Sequence, residues 1–332
     1  MPTTLWNRSF NRFLKKITKT ATRAGSKLIV KALRTVPTTR KSKLTNARST
    51  SMANWSAGIA ISAAGSRRYR LYKPPNVLRS ESLPLMVMLH GCGQDADAFA
   101  ASTNMNRIAA SKRFFVLYPE QDVLSNAQGC WNWYDTRSGR SQREAATIDH
   151  AIDQICLLQP IDQDRIVLAG LSAGASMAAL LALRRPERFR AIAMHSGVGP
   201  GVAHSLASAI MAMRGTKVTS KPLPIDLQLP PLLVIHGSTD RVVAPINGVE
   251  TVRLWAAPSN AKASKPRTIR RGARYPVTMT DYRNSKQLVA TICEVNGLGH
   301  AWSGGAAGHS YSDPKGPDAS AMIWTFVAKQ FF

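Results

Sequence analysis

The pentapeptide Gly170-Leu171-Ser172-Ala173-Gly174 constrains this chain more than any other feature. Ahead of it, Asp164-Arg165-Ile166-Val167-Leu168-Ala169 ends in an apolar run that reads as a buried strand. Behind it, Ala175 to Arg185 is rich in Ala, Leu and Met and reads as a helix. A serine on a sharp turn between strand and helix forms a nucleophile elbow. Gly170 and Gly174 flank the serine because side chains there would collide with the adjacent strand and helix. The helix start brings backbone N–H groups and a positive dipole end near a reacting oxygen. The simpler alternative is a tight turn whose serine only caps the helix.

A serine hydroxyl is a poor nucleophile. It needs a base to take its proton and an acid to orient that base. Asp240 follows the apolar run Leu232–Ile235 in His236-Gly237-Ser238-Thr239-Asp240. His300 follows the run Leu288–Val295 in Gly297-Leu298-Gly299-His300-Ala301-Trp302. Both project from strand ends, on the edge expected for the elbow. Asp226 precedes its strand and is a poorer acid. His309 lies in a glycine-rich loop well past the strand. His195 and His236 sit at strand ends and read as packed, hydrogen-bonded residues. His150 falls on a helix and His204 in a loop.

An oxyanion needs two aimed N–H donors. The Ala173 amide, next after the serine, is one candidate. The Cys92 amide is the other, in His90-Gly91-Cys92-Gly93-Gln94 after an early central strand. Trp131, Trp133, Tyr134 and Trp302 cluster near these loops and are candidates for holding an apolar or polymeric acyl substrate. The competing reading is that they pack the long loop onto the body.

The rest of the chain alternates strands with helices. Gly58–Tyr72 reads as a hairpin, Leu85–Leu89 as a central strand, Asn104–Lys112 as a helix and Phe114–Tyr118 as a strand. A long loop spans 120–143, then a helix Glu144–Leu158. Strands at 191–194 and 232–235, a helix near Val249–Ala256, strands at 274–282 and 288–295, and a helix Asp318–Phe331 complete the series. This predicts an α/β fold, with a mostly parallel sheet covered by helices on both faces. One catalytic domain over residues 54–332 accounts for the pattern. No internal repeat is present.

Charge sets residues 1–53 apart. The formal net charge is +25, and residues 1–50 hold thirteen Lys or Arg and no Asp or Glu. Trp6, Phe10, Phe13, Leu14 and Ile17 recur at helical spacing. The segment therefore reads either as an amphipathic arm suited to an anionic membrane or granule surface, or as a disordered basic tail. Transit segments and nucleic-acid-binding arms share this chemistry, but nucleic acid is not the expected partner. The positive charge runs through the whole segment, unlike that of a clear signal peptide. A second basic run, Lys262, Lys265, Arg267, Arg270, Arg271 and Arg274, reads as an exposed loop. No stretch approaches the roughly 18–20 apolar residues of a membrane span. The four cysteines, Cys92, Cys130, Cys156 and Cys293, include no C-x-x-C pair and so argue against zinc. Cys92 and Cys130 both fall in loops near the expected site and could bond to each other. The alternative is that all four are reduced.

Together, His90-Gly91-Cys92-Gly93-Gln94, Cys130-Trp131-Asn132-Trp133, the Ser172 pentapeptide and Gly299-His300-Ala301-Trp302-Ser303-Gly304-Gly305 resemble the poly(3-hydroxybutyrate) depolymerase family of esterases. That family is similar to feruloyl and acetylxylan esterases. The resemblance implies an α/β-hydrolase fold, a Ser172–Asp240–His300 triad in that chain order, no metal and no cofactor. It implies an ester or polyester substrate, with short 3-hydroxybutyrate esters or oligomers first and feruloyl or acetyl esters second. It also implies an extracellular setting, which the basic arm does not match. A third reading is a non-catalytic granule- or polyanion-binding protein on a hydrolase scaffold.

Overall fold

The computed structural model describes residues 54–216, 220–285 and 287–332. The chain divides into a unit Met1–Arg48 and a unit Ser49–Phe332. The expected basic arm, 1–53, lies outside the described residues.

Among the described residues, eleven strands form one sheet. Six of them run parallel, in the order β4 (Phe115–Pro119), β3 (Leu83–Leu89), β5 (Ile161–Leu171), β6 (Ala191–His195), β7 (Leu232–Gly237) and β11 (Gln287–Val295). Antiparallel strands extend both ends. The hairpin β1 (Trp55–Ser62) and β2 (Gly65–Tyr72) adds beside β4. At the other end β10 (Val277–Asn284) pairs with β11, and the short β8 (Lys262–Ala263) and β9 (Arg267–Ile269) pair with β10. The second basic run is thus only partly the loop expected from its composition, because two pieces of it are edge strands. A separate pair, β12 (Trp302–Ser303) and β13 (Ser312–Asp313), follows.

β3 and the Ile166–Leu171 half of β5 are apolar throughout, as both-face burial requires. Met86 and Met88 of β3 and Leu233 and Ile235 of β7 pack into one core, with side chains from α1 (Ala96–Thr103), α2 (Met105–Lys112) and α7 (Ala319–Ala328). Alternate residues of the same strands point the other way. That face carries α3 (Arg140–Leu158), α4 (Ala173–Arg184) and α6 (Ile246–Ala256). A short α5 (Leu206–Met213) lies in the excursion between β6 and β7.

Helix α1 was not legible in the sequence. Its start is set by Asp95, whose carboxylate accepts the Ala98 N–H at 2.7 Å, and its end by Asn104 at φ 56°. No described helix is long and apolar enough to cross a membrane.

Candidate active site

Parallel strands all end on one edge of the sheet, so the loops after β3, β5, β7 and β11 share that edge. Ser172 follows β5 and precedes α4, at φ 55° and ψ −118°. A non-glycine residue there is strained, and the surroundings must hold it. They do so closely. A Cβ on Gly174 would lie 2.1 Å from the Leu89 carbonyl oxygen, and one on Gly170 would lie 2.5 Å from the Gly174 backbone. Both glycines are therefore required by strand–helix contact, and Ser172 remains partly exposed above them. The Ser172 N–H donates to the His195 carbonyl at 2.8 Å.

Asp240 and His300, sixty residues apart, meet at this edge. His300 Nδ1 and Asp240 Oδ2 are 2.7 Å apart. The second carboxylate oxygen, Oδ1, accepts the Val242 and Val243 N–H groups, each at 2.9 Å. His236 Nε2 lies 3.5 Å from Asp240 Oδ2 and 3.0 Å from the Val243 carbonyl. Burial alone would raise the Asp240 carboxyl. The charges and hydrogen bonds of His300 and His236 outweigh it and hold the group well below the usual carboxylate range. An ionised carboxylate only accepts, so His300 must donate through Nδ1–H, which leaves its Nε2 lone pair available.

His195 ties the elbow to the His300 loop. Its ring Nε2 accepts the Ser303 N–H at 3.1 Å, and its ring stacks on Trp302 at 5.1 Å. Burial, then the nearby rings of His236 and His300, push His195 down to about 3, so it is neutral. The packed role expected of His195 and His236 is what they have.

The loop after β3 is pinned from two sides. Trp131 Nε1 donates to the His90 carbonyl at 3.0 Å, and His90 Nε2 accepts the Gln121 N–H at 3.1 Å. A disulfide joins Cys92 to Cys130, the pairing the loop positions suggested. Among the described residues, the Cys92 and Ala173 amides have no hydrogen-bond acceptor.

Two of the four aromatic candidates must be corrected. Trp131 and Trp302 are fully buried. Trp131 lies under Arg67 at 5.1 Å, and Trp302 packs edge-on against Phe99 and donates to Ser320 Oγ. Neither can touch a substrate. Trp133 is also buried, at 8% exposure, and Tyr134, which meets it edge to face, is the one of the four that is partly exposed.

The sequence reading also missed a buried polar network behind the long loop. Glu144 accepts the Asn132 N–H at 2.8 Å and the Gln121 amide at 2.8 Å. Gln121 also donates to the Cys130 carbonyl and accepts from Arg67. A buried acid on a helix gives no signal in a linear pattern, because its partners are scattered along the chain. Among the described residues, no group of three or more His, Cys, Asp or Glu is arranged to hold a metal ion.

The fold described above recurs in known proteins. The acetyl xylan esterase from Aspergillus awamori superposes with a TM-score of 0.61 at 19% identity, over 82% of this chain and 99% of that one. This establishes the α/β-hydrolase fold. In sequence, the chain is 33% identical over 183 residues to poly(3-hydroxyalkanoate) depolymerase C of Paucimonas lemoignei, covering 52% of this chain and 44% of that protein. It is 24% identical over 220 residues to acetylxylan esterase A of Talaromyces purpureogenus, covering 60% of this chain and 55% of that protein. The chain thus spans about half the length of the curated relatives it matches. The model of the esterase PHB depolymerase family matches residues 67–255, more than half of the chain. The elbow, the loop after β3 and the Asp240 strand end all fall within that match, and the chain belongs to the esterase PHB depolymerase family.

Proposed function

We propose that this chain is a serine carboxylic-ester hydrolase that cleaves short 3-hydroxybutyrate esters or oligomers through an acyl-enzyme. The observation that carries the reading is the buried 2.7 Å contact between His300 Nδ1 and Asp240 on the edge where strained Ser172 stands partly exposed.

In this reading Ser172 Oγ attacks the ester carbonyl and His300 Nε2 takes its proton. Asp240 holds the ring in the required tautomer and stabilises the imidazolium. The Cys92 and Ala173 amides, which lack other acceptors, receive the oxyanion. The imidazolium returns its proton to the leaving alcohol. Water, deprotonated by His300, then attacks the acyl-enzyme and releases the acid and free Ser172. In this reading Tyr134, the partly exposed one of the four aromatic candidates, would meet the acyl chain. No step calls for a metal or cofactor.

The hydroxybutyrate preference is supported by family membership and by the named activity of the Paucimonas lemoignei relative. A second reading, acetyl or feruloyl ester hydrolysis on plant polysaccharide, is supported by the similarity to acetylxylan esterases. The basic residues 1–50 would suit contact with an anionic granule or membrane surface.

The test is hydrolysis of p-nitrophenyl butyrate, a 3-hydroxybutyrate oligomer, an acetylated xylan and methyl ferulate by the parent and by Ser172→Ala. Oligomer cleavage that depends on Ser172 and exceeds acetyl and ferulate cleavage is expected. Turnover that survives Ser172→Ala would overturn the mechanism. A preference for acetyl or ferulate esters would overturn the substrate assignment.

A further inference from the structure

The sheet extends past the helices that cover it. Helix α7 packs on β6 and β7, while β10 and β9 lie further out. A cavity of about 670 Å³ opens between those outer strands and α7, within the roughly 300–1,000 Å³ range of small-molecule sites. None of Ser172, Asp240 and His300 lines it.

Strand alternation builds its wall. Arg267 and Ile269 of β9 and Val277, Met279 and Asp281 of β10 all line the cavity. Thr268 and Thr278, between them, pair hydroxyl to hydroxyl at 2.9 Å. The opposite wall is one stripe of α7, with Met322 and Phe326 at helical spacing, flanked by Asp318 before the helix and Lys329 after it. The floor is apolar, since Leu233, Cys293 and Phe326 are buried in the core there.

The rim is cationic. Arg267, Arg271, Arg274, Arg283 and Lys329 line the cavity against two carboxylates, Asp281 and Asp318. Both carboxylates already have arginine partners, Asp281 with Arg267 at 2.9 Å and Asp318 with Arg107 at 3.1 Å. The side chains of Arg271 and Lys329 have no acid partner among the described residues, and both are exposed. The second basic run of the sequence thus supplies much of the rim of an apolar cavity. Its charge disfavours the chain's own basic residues 1–50 as occupant.

We propose that this cavity binds a single-chain carboxylate amphiphile, a medium-chain fatty or hydroxyalkanoic acid anion. The chain would lie along Met279, Met322 and Phe326, with the carboxylate at Arg271. The site is separate from the ester-cleaving edge and does not depend on the hydrolase reading.

The test is titration calorimetry on the full chain with dodecanoate, below its micelle concentration. Butanoate and dodecyltrimethylammonium serve as probes lacking the chain and the negative head. Saturable dodecanoate binding at one site is expected, with neither control binding. Arg271→Glu, on an exposed side chain, should weaken it roughly tenfold or more, the size of one charge-assisted contact. Met279→Trp should block the chain's path. No saturable dodecanoate binding, equal binding of either control, or parental affinity in Arg271→Glu would overturn the proposal.

Discussion

His195 Nε2 accepts the Ser303 N–H at 3.1 Å, and the same residue's carbonyl accepts the Ser172 N–H at 2.8 Å. One residue at the end of β6 therefore fastens the serine elbow to the loop that carries His300. A neutral imidazole can accept at one nitrogen, which burial guarantees here. His195→Leu would leave the buried Ser303 N–H without an acceptor, at a cost of about 1–3 kcal/mol. Urea unfolding measures the loss directly. Ester turnover should fall in kcat more than it changes KM, because the base is displaced while the substrate surface is kept. His195→Gln, which restores an acceptor, should recover part of both. Parental stability in His195→Leu would contradict the fastening role.

Acid should unfold this protein by charging its buried histidines. Burial pushes His195 down to about 3 and His90 to about 4. Unfolded histidine titrates near 6.5, so between about pH 6.5 and 3 the unfolded chain binds more protons than the folded one. Stability therefore rises with pH across that window and is lost as pH falls through it. Thermal melting from pH 8 down to pH 4 should show a steady fall in Tm that begins near pH 6.5. A flat profile over that range would show that neither ring is buried in its neutral form.

Asp240→Asn tests the tautomer argument. The amide Nδ2 would present a donor to His300 Nδ1 and so favour the ring form with its proton on Nε2. That form cannot take a proton from Ser172. In serine triads the matching change lowers kcat by about 10⁴, and a drop of that order is expected for ester turnover here. The asparagine Oδ1 can still accept from Val242 and Val243, so folding should survive, as circular dichroism would show. A loss below about tenfold would mean that Asp240 does not orient the base.

The Cys92–Cys130 bond closes a loop of 38 residues and holds the β3 loop to the Trp131 segment. Loop-closure entropy predicts about 3–4 kcal/mol of stabilisation. Cys92→Ser with Cys130→Ser, or reduction of the parent, should lower Tm and also reduce kcat, because the Cys92 amide loses its anchor. If the double variant matches the parent in kcat, the disulfide does not set the position of the Cys92 amide.

The elbow, the parallel central strands, and Asp240 and His300 at strand ends were all legible in the linear chain. Each is written in local periodicity: apolar runs for strands buried on both faces, and glycines where backbone meets backbone. Gly174 is the clearest case, since its neighbour across the strand, at 2.1 Å from a built Cβ, is a carbonyl that no side chain could displace. The disulfide was legible only as one option among four cysteines.

Tertiary structure decided what depends on partners far apart in the chain. Trp131 and Trp302 are as aromatic as Tyr134 in the sequence, but packing under Arg67 and against Phe99 buries them completely. Glu144 reads as an ordinary helical acid until Gln121 and Asn132 converge on it. The basic run 262–274 reads as solvated loop until pairing with β10 turns Arg267 and Ile269 toward α7. Local chemistry marked by itself the candidate reactive residues and the central apolar strands. Burial and long-range pairing alone determined which side chains remain accessible, because solvent exposure is a property of the packed sheet and its helices.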